Sequence, residues 1–315
     1  MRIDAASAAA LLQEQENILI ICHESPDGDT TGSAFALGYA LRRLEKQVRV
    51  VCSDPLPKNC RFFWEAFPQE EFEEKYVVAV DVADSKLFGD KLEAYKICTD
   101  LCIDHHPTNT QYAKNLLLCP QAAATTEIIF EVIGHLGVEV DREIAQCLYT
   151  GLATDTGCFL YSNTTAHTHR LAASLMETGI DFAAINRLMF ETKTPGRVAM
   201  EKLVYNDLKY YFDGRCAVIC ITQDMLEQTG ACGEELEGLA SLPRQIEGVE
   251  VGVTMKQRED RESFKVSVRT NTQADASEIC GRLGGGGHAK AAGCLVYGSV
   301  EEARMKILDA VEACL

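Results

Sequence analysis

The sequence lacks any long hydrophobic run, which excludes an ordinary membrane-spanning helix. Its longest apolar stretches, such as residues 17–22 and 217–221, are far shorter than the roughly 18 residues that a span requires. The first residues also lack a basic segment followed by an apolar secretory core. We therefore expect a cytoplasmic protein with no membrane partner.

No C-x-x-C pair occurs among the 14 cysteines, which argues against a thiolate zinc site. The pairs Cys98/Cys102 and Cys216/Cys220 are four residues apart in strand-like segments, so their side chains need not converge. Many cysteines lie inside apolar runs, which is typical of small buried side chains in a reducing compartment.

Positive charge is scarce as well. The chain has 30 Lys and Arg against 47 Asp and Glu, a formal net charge of -17. A generic groove for long nucleic acid relies on many basic contacts to phosphates, so we expect none here. Small anionic substrates remain compatible with this charge, because a few arginines can steer a phosphate locally.

The length of 315 residues favours two domains. In the first, short apolar segments at residues 17–22, 48–52, 76–80 and 97–103 read as strands, with a helical pattern at 32–46. This alternation predicts a mostly parallel sheet flanked by helices on both faces, and helices follow at 125–136, 141–152 and 165–178. We assign the catalytic domain to residues 1–187 and a linker to 188–200.

Residues 201–315 read as a smaller α+β domain with a mixed sheet. Asp213-Gly214, between segments 208–212 and 215–221, is a strong hairpin signal. A second hairpin should pair residues 249–257 with 264–270, and helices are expected at 275–283 and 300–313. The domain organisation is therefore α/β followed by α+β.

Residues able to do chemistry follow strand or helix ends in the first domain. Ligands of open parallel sheets bind beyond the carboxyl ends of the strands. A single Asp there is often only a helix cap or turn former, but four groups in one domain indicate one site. The groups are His23-x-x-x-Asp27-x-Asp29, Asp81, Asp104-His105-His106 and Asp155.

Carboxylates and imidazoles without thiolates suit Mn²⁺, with Mg²⁺, Fe²⁺ or Co²⁺ as alternatives. Two divalent cations would neutralise the four carboxylates of Asp27, Asp29, Asp81 and Asp155. A water held between two such cations can lose a proton and attack phosphorus. The cluster therefore predicts a two-metal phosphoesterase.

Together with Gly284-Gly-Gly-Gly-His288, these motifs resemble the DHH phosphoesterases that carry a DHH-associated C-terminal domain, specifically the nanoRNase and pAp phosphatase branch. The resemblance implies that one Mn²⁺ is held by His23, Asp27 and Asp81. It implies that the other is held by Asp29, Asp81, His105 and Asp155, with Asp81 bridging. His106 would face the substrate phosphate as hydrogen-bond donor or general acid, and Asp104 would orient a ligand histidine. We interpret Asp84 as a helix cap.

The glycine run permits close approach of an anion to backbone N–H groups, which predicts a phosphate-binding nest. On segment 264–270, apolar residues alternate with Lys265, Ser267 and Arg269. The resemblance implies that Arg269 clamps a terminal phosphate, so that a cleft between the domains measures short nucleotides. The expected substrate-binding residues are Arg269, Gly284, Gly285, Gly286, Gly287 and His288.

We therefore expect hydrolysis of short oligoribonucleotides, such as pApA, to nucleoside monophosphates, and dephosphorylation of pAp to AMP. Two alternatives are a family II-like inorganic pyrophosphatase and a non-catalytic nucleotide-binding regulator. The glycine run argues against the first, because pyrophosphate needs no distant nest, and the complete set of candidate ligands argues against the second. The resemblance also makes a homodimer plausible.

Overall fold

A computed structural model describes residues 1–231, 233–236 and 238–315. It divides into two compact units, Met1–Thr192 and Lys193–Leu315. The division falls within the stretch 188–200 that the sequence suggests as a linker. Part of that stretch is helical, because Thr194 caps a helix whose first residue is Pro195, a residue suited to the first turn. Among the described residues, no helix is long and apolar enough to cross a membrane.

The first unit contains a five-stranded parallel sheet in the order β2-β1-β3-β4-β5. Its strands are β1 (Ile18–Ile21), β2 (Val48–Val51), β3 (Tyr76–Val80), β4 (Leu101–Asp104) and β5 (Asn115–Leu118). Its α-helices are α1 (Ala5–Glu14), α2 (Gly28–Arg43), α3 (Arg61–Ala66), α4 (Thr125–Leu136), α5 (Arg142–Asp155), α6 (Ala166–Glu177) and α7 (Phe182–Asn186). A π-helical turn, Arg187–Glu191, follows α7. The predicted parallel α/β architecture is confirmed.

The two faces of this sheet are covered differently. Ile18 and Ile20 of β1 point into the large core formed with the α-helices, whereas Leu19 and Ile21 point to the opposite face. That opposite face packs on Phe88 and Leu92. These two residues belong to the 3₁₀ helices Ser85–Phe88 and Asp90–Ile97, so short 3₁₀ helices cover this face and α-helices cover the other.

Three predicted boundaries also shift. Helix α2 begins at Gly28 rather than residue 32, because the Asp27 carboxylate accepts hydrogen bonds from the N–H groups of Asp29 and Thr30. Strand β4 begins at Leu101, since the chain up to Ile97 is 3₁₀-helical. Helix α5 continues to Asp155, which therefore ends a helix instead of following one.

The second unit contains a six-stranded mixed sheet in the order β10-β11-β9-β8-β7-β6, in which only β7 and β8 are parallel among the described pairs. Its strands are β6 (Lys209–Tyr211), β7 (Cys216–Ile221), β8 (Val251–Gln257), β9 (Ser263–Thr270), β10 (Gly286–His288) and β11 (Ala291–Tyr297). Its α-helices are α8 (Pro195–Asn206), α9 (Gln223–Thr229), α10 (Ala276–Gly281) and α11 (Val300–Glu312). Short 3₁₀ turns lie at Gly233–Leu236, Leu239–Ser241 and Pro243–Gln245.

Both predicted hairpins of this unit are confirmed: β6 pairs with β7, and β8 pairs with β9, each antiparallel. The predicted alternation along β9 is confirmed too. Phe264, Val266 and Val268 are buried in the core with α10 and α11, while Lys265 and Arg269 lie on the other side. Strands β5, β10 and β11 were not predicted, because β5 and β10 have only four and three residues and β11 has no alternating polar residues.

Candidate metal and phosphoester site

The candidate ligands meet at the carboxyl ends of β1, β3 and β4, the three central strands of the parallel sheet. His23 follows β1, Asp81 follows β3, and His105 follows β4. Asp27 and Asp29 come from the start of α2, and Asp155 from the end of α5. The parallel arrangement brings these ends to one edge.

Three sets of ligand atoms lie within 4.8 Å of one another in this cluster among the described residues. One set is His23, Asp27 and Asp81, the second is Asp29, His105 and Asp155, and the third is Asp81, His105 and His106. The first two sets together contain all six candidate ligands expected from the sequence. Carboxylates and imidazoles of this kind fit divalent cations of the manganese type.

Asp81 stands between the first two sets. Its Oδ2 lies 3.7 Å from His23 Nε2, and its Oδ1 lies 3.7 Å from His105 Nε2. These separations are too long for hydrogen bonds, but they suit atoms that contact a common cation at about 2.0–2.2 Å. The backbone of Asp81 adopts φ 60°, a left-handed conformation that aspartate tolerates better than most residues. This geometry would allow Asp81 to bridge two cations.

Hydrogen bonds orient the two histidines that face Asp81. His23 Nδ1 lies 2.7 Å from the carbonyl oxygen of Glu24, and His105 Nδ1 lies 3.1 Å from that of Ala122. Since a carbonyl only accepts, each Nδ1 carries the proton and each Nε2 presents a lone pair to the cluster. His105 Nε2 is also 3.6 Å from Asp155. Both rings are thus oriented as metal ligands require.

His106 is oriented differently. Its Nδ1 donates to Asp104 Oδ1 at 2.7 Å, and its side chain is 41% exposed. The hydrogen bond to Asp104 raises the pKa of His106, and the burial of the ring only partly opposes this. Asp104 is fully buried, and its Oδ2 accepts from Asn109 Nδ2 at 2.6 Å. Asp104 therefore positions His106, and not one of the histidines expected as metal ligands.

Asp29 is 1% exposed and takes the place of a helix cap for α4. Its oxygens accept from the N–H groups of Thr125 and Thr126, at 2.6 and 3.1 Å. Those are the first residues of α4, whose own N-cap residue, Ala124, provides no side-chain hydrogen bond. The positive end of the helix dipole thus stabilises a buried carboxylate.

Thr125 and Asn109 were missed by the sequence reasoning. Thr125 Oγ1 donates to Asp81 Oδ1 at 2.8 Å, so this residue contacts two of the clustered carboxylates. Its only sequence signal is Thr-Thr at a helix start without Asp or Asn as cap. Asn109, in the loop after β4, gave no signal. Asp84, by contrast, caps the 3₁₀ turn at Ser85 as interpreted from the sequence.

The cluster carries more negative charge than the protein alone compensates. Burial, followed by the charges of Asp29 and Asp27, raises the pKa of Asp81 well above its usual range. The same three causes raise the pKa of Asp155 to about 8. Burial would also raise the pKa of Asp27, but its contact with His23 holds it below the usual range. Such crowding of buried carboxylates is typical of a cation site.

In the second unit, close packing explains part of the glycine run. A Cβ on Gly285 would lie 2.2 Å from the Gly293 oxygen, and one on Gly287 2.6 Å from Ala292 Cα. Both glycines thus allow β10 to approach β11. The amides of Gly284 and Gly285 donate to carbonyls of Gly281 and Cys280.

The prediction that all four glycine amides form an open nest is therefore wrong for the first two. Gly286 has open space around its Cα, and His288 is exposed. Arg269 lies on β9, and its pKa is lowered by burial and then by the charge of Arg244. These two guanidinium groups therefore concentrate positive charge in the second unit.

Comparison with known proteins agrees with the division of the chain into two units. Residues 17–152 match the DHH family, N-terminal domain, and residues 214–315 match the DHHA1 domain. A bifunctional oligoribonuclease and PAP phosphatase NrnA from Thermus thermophilus is 35% identical over 93% of this chain and 89% of its own. The chain belongs to the DHH family. Within that family it lies on the NrnA-like branch.

Two further relatives of this DHH protein span nearly the whole chain. The NrnA protein of Bacillus subtilis is 26% identical over 95% of each chain. The crystal structure of an exopolyphosphatase-related protein from Bacteroides fragilis has a TM-score of 0.87 and 24% identity, and covers 98% of this chain and 96% of its own. This structural likeness concerns the fold.

Proposed function

We propose that this DHH protein is a metal-dependent phosphoesterase that hydrolyses short oligoribonucleotides to nucleoside monophosphates and dephosphorylates pAp to AMP. The observation that carries the proposal is the ligand cluster joined through Asp81 and His105. The substrates follow from relatives aligned over almost the full chain, which are described as bifunctional oligoribonucleases and PAP phosphatases.

We propose that the cluster holds two divalent cations, most suitably Mn²⁺. His23, Asp27 and Asp81 would hold one, and Asp29, Asp81, His105 and Asp155 the other. Oxygen and imidazole donors without thiolate favour manganese over structural zinc. When bound, two such cations supply Lewis acidity and lower the pKa of an attacking water.

His106 is the group that we assign to the departing oxygen. Because Asp104 accepts from Nδ1, the ring presents Nε2 to the solvent side of the site. A protonated Nε2 can donate to a phosphoryl or leaving-group oxygen. Asp104 takes part by keeping the ring in this orientation, and the bond between Asn109 and Asp104 keeps the carboxylate in place.

We propose further that Arg269, with Gly286 and His288, contacts the terminal phosphate of the substrate. Arg269 lies close enough to Arg244 for the two charges to interact, and an anion beside them would relieve their repulsion. The remaining glycines, Gly284, Gly285 and Gly287, would act by shaping β10. Such a phosphate contact selects short substrates with a free end.

The test is to incubate the manganese-loaded protein with pAp, pApA, pyrophosphate and a long RNA. We expect turnover of pAp and pApA and little of the other two. Turnover of pyrophosphate alone would instead support the pyrophosphatase alternative. No turnover of any substrate would support a nucleotide-binding regulator.

Asp81→Ala provides the matched test of the cluster. We expect it to abolish turnover and to lower the bound manganese measured by atomic absorption, because it removes the carboxylate shared by both ligand sets. Asp309→Ala removes an exposed carboxylate from α11 and serves as control. Wild-type rates in Asp81→Ala would contradict the proposed centre.

The phosphate contact needs variants that do not disturb packing. Arg269→Gln and Gly286→Ala meet this condition, since the Cβ added at Gly286 meets nothing within 4 Å. We expect both to raise the KM for pAp more than they lower kcat. An unchanged KM in both would remove these residues from the substrate site.

We also propose that the protein works in the cytoplasm. Thirteen cysteines are free among the described residues, and most of them are buried, as expected for thiols kept in a reducing compartment. The homodimer implied by the family resemblance is a separate expectation. Light scattering of the purified chain tests it.

A further inference from the structure

A cavity of about 440 Å³ lies beside the ligand cluster, within the first unit. It is formed where β2 ends and α3 begins, and the residues that matter here are Cys52, Ser53, Asp54, Arg61, Trp64 and Lys91. Its volume is in the range of pockets that hold small ligands. The predicted site residues include none of those that line it.

Hydrogen bonds join the cavity wall to the loop that carries two candidate ligands, His23 and Asp27. The Cys52 thiol donates to the His23 carbonyl oxygen over 3.2 Å, and Asp54 Oδ2 accepts from the Ser25 N–H at 2.9 Å. Strand β2 is the neighbour of β1 in the sheet, so the two strand ends are about 4.8 Å apart. The cavity is thus within reach of a nucleoside attached to a phosphate at the cluster.

The residues at the base of the cavity are closely packed. A Cβ on Gly89 would lie 2.5 Å from Ser53 Oγ, so only glycine fits there, and its φ is +72°. Ser53 is buried, and its carbonyl oxygen accepts from Lys91 Nζ at 2.7 Å. Ser53 and Lys91, which line the cavity, are therefore held in place before any ligand binds.

Trp64 is the largest aromatic surface of the cavity and is 41% exposed. Its ring lies almost perpendicular to that of the buried Phe35, with 6.4 Å between centroids. An indole that packs against the core and also lines a cavity is suited to stack on a flat base, and stacking accepts any base because each has a π-face. The neighbouring charges are mixed, Arg61 and Lys91 against Asp54 and Glu65, so the cavity suits a base better than a second phosphate.

We propose that the Trp64 cavity binds the nucleobase of the nucleotide on the 3′ side of the hydrolysed bond. This rests on the proposed function. There, the terminal phosphate, which pApA and pAp share, is assigned to Arg269, Gly286 and His288. The cavity in the first unit is left for the part that only pApA has, namely the nucleoside beyond the phosphate that is attacked. Trp64 then separates the oligoribonuclease activity from the pAp phosphatase activity.

Fluorescence tests the contact directly, because Trp64 is the only tryptophan of the chain. The magnesium-loaded wild-type protein is excited at a wavelength where nucleotides do not absorb and titrated with AMP and, separately, with ribose 5-phosphate. We expect saturable quenching by AMP and none by ribose 5-phosphate. Equal signals from both, or no quenching by AMP, would overturn the proposal.

Kinetics of Trp64→Ala tests the assignment to the 3′ nucleotide. Loss of one stacked base should raise the KM for pApA about 5- to 100-fold and leave the KM for pAp within about threefold. Trp64→Phe retains a ring and should stay close to wild type, which controls for the packing on Phe35. Tyr297→Ala, at an exposed aromatic residue of β11, controls for removal of a surface ring. Unchanged pApA kinetics in Trp64→Ala, or an equal rise for pAp, would contradict the proposal.

The two proposals can fail separately. If the wild-type protein hydrolyses neither pApA nor pAp, the proposed function fails, and the AMP titration still decides whether Trp64 contacts a base. If it hydrolyses both but Trp64→Ala treats them alike, only the assignment of the cavity fails. Thermal unfolding of each variant shows whether a loss of activity is caused by a loss of the folded state.

Discussion

Asp81 and Asp104 are both buried carboxylates, yet only Asp81 needs a partner from outside the chain. Burial acts to raise the pKa of each. For Asp81, the neighbouring Asp29 and Asp27 raise it further. For Asp104, hydrogen bonds from His106 and Asn109 overcome burial and lower the pKa. Asp104 thus stays ionised through its own neighbours, whereas the negative charge around Asp81 needs cations to neutralise it.

Asp104→Asn is expected to lower kcat about 10²- to 10³-fold for both pAp and pApA, with manganese content unchanged. The amide retains the volume of the carboxylate but weakens its hold on the His106 Nδ1–H and its support of a protonated ring. Steady-state kinetics and metal analysis on the same preparation measure the two effects. Loss of manganese in this variant would show that Asp104 supports the ligands instead of His106.

Glu250 is a carboxylate whose role is structural. Its oxygens accept from the N–H groups of Thr272, Gln273 and Ala274, and also from the Thr272 hydroxyl. Burial opposes ionisation, but these bonds lower the pKa of Glu250 to about 2. The folded state therefore keeps this carboxylate charged at pH values where the unfolded chain binds a proton.

Glu250→Gln is expected to lower the free energy of unfolding at pH 7 by about 1–2 kcal/mol, allowing for solvent screening. The folded-state pKa is lowered, so the contribution is complete above the unfolded value near 4.5. It is lost as the pH falls through about 2. Urea unfolding from pH 7 down to pH 3 should show the difference between variant and wild type shrinking. A difference that grows toward low pH would contradict this account.

At the scale of the elements, the cluster depends on close packing between α2 and α5. A Cβ on Gly32 of α2 would lie 2.4 Å from the Cys147 carbonyl oxygen in α5. On the other side of the contact, a Cβ on Gly151 would lie 2.9 Å from Asp29 Oδ1. Small residues therefore bring Asp29 and Asp155, which these helices carry, to the same point.

Gly32→Ala is expected to lower the free energy of unfolding by about 1–3 kcal/mol, because backbone atoms must move to admit the methyl group. Gly134→Ala is the matched control, since its Cβ meets nothing within 4 Å in the exposed part of α4. That change should stabilise by up to about 1 kcal/mol through helix propensity. Urea denaturation measures both. Equal effects of the two changes would exclude packing as the cause.

The glycine run shows the limit of reading function from an element's sequence. Its composition predicts an anion nest, but the pairing of β10 with β11 accounts for Gly285 and Gly287 without any ligand. Sequence reasoning had no strand to pair with, because β11 was not predicted. Gly286 and His288, which are exposed and are not needed for this packing, remain for the proposed phosphate contact.

On the scale of the whole molecule, each unit has its own apolar core. One core packs the parallel sheet against α1, α2, α4 and α5, and the other packs the mixed sheet against α10 and α11. The candidate metal ligands all belong to the first unit. Cation binding should therefore stabilise one unit and leave the other unchanged.

Chelation is expected to lower the unfolding temperature of one calorimetric transition by about 5–10 °C. This corresponds to the loss of a ligand present at about 100 times its dissociation constant. The transition of the second unit should not move. Differential scanning calorimetry with and without EDTA, repeated on Asp81→Ala, makes the comparison. A shift of both transitions, or of neither, would contradict the assignment.

Much of this protein follows from local pattern. The strand ends, the spacing of His23, Asp27 and Asp29, and the alternation along β9 are set by backbone periodicity and chain order, so the sequence predicts the fold class and the cluster. Other features depend on contacts between distant segments. Asp29 caps α4 across 96 residues of sequence, and β11 separates β10 from β9. The cavity at Trp64 likewise exists only where the end of β2 meets α3 and Lys91. The local sequence pattern does not predict these contacts, because they arise when elements that are distant in the sequence pack together.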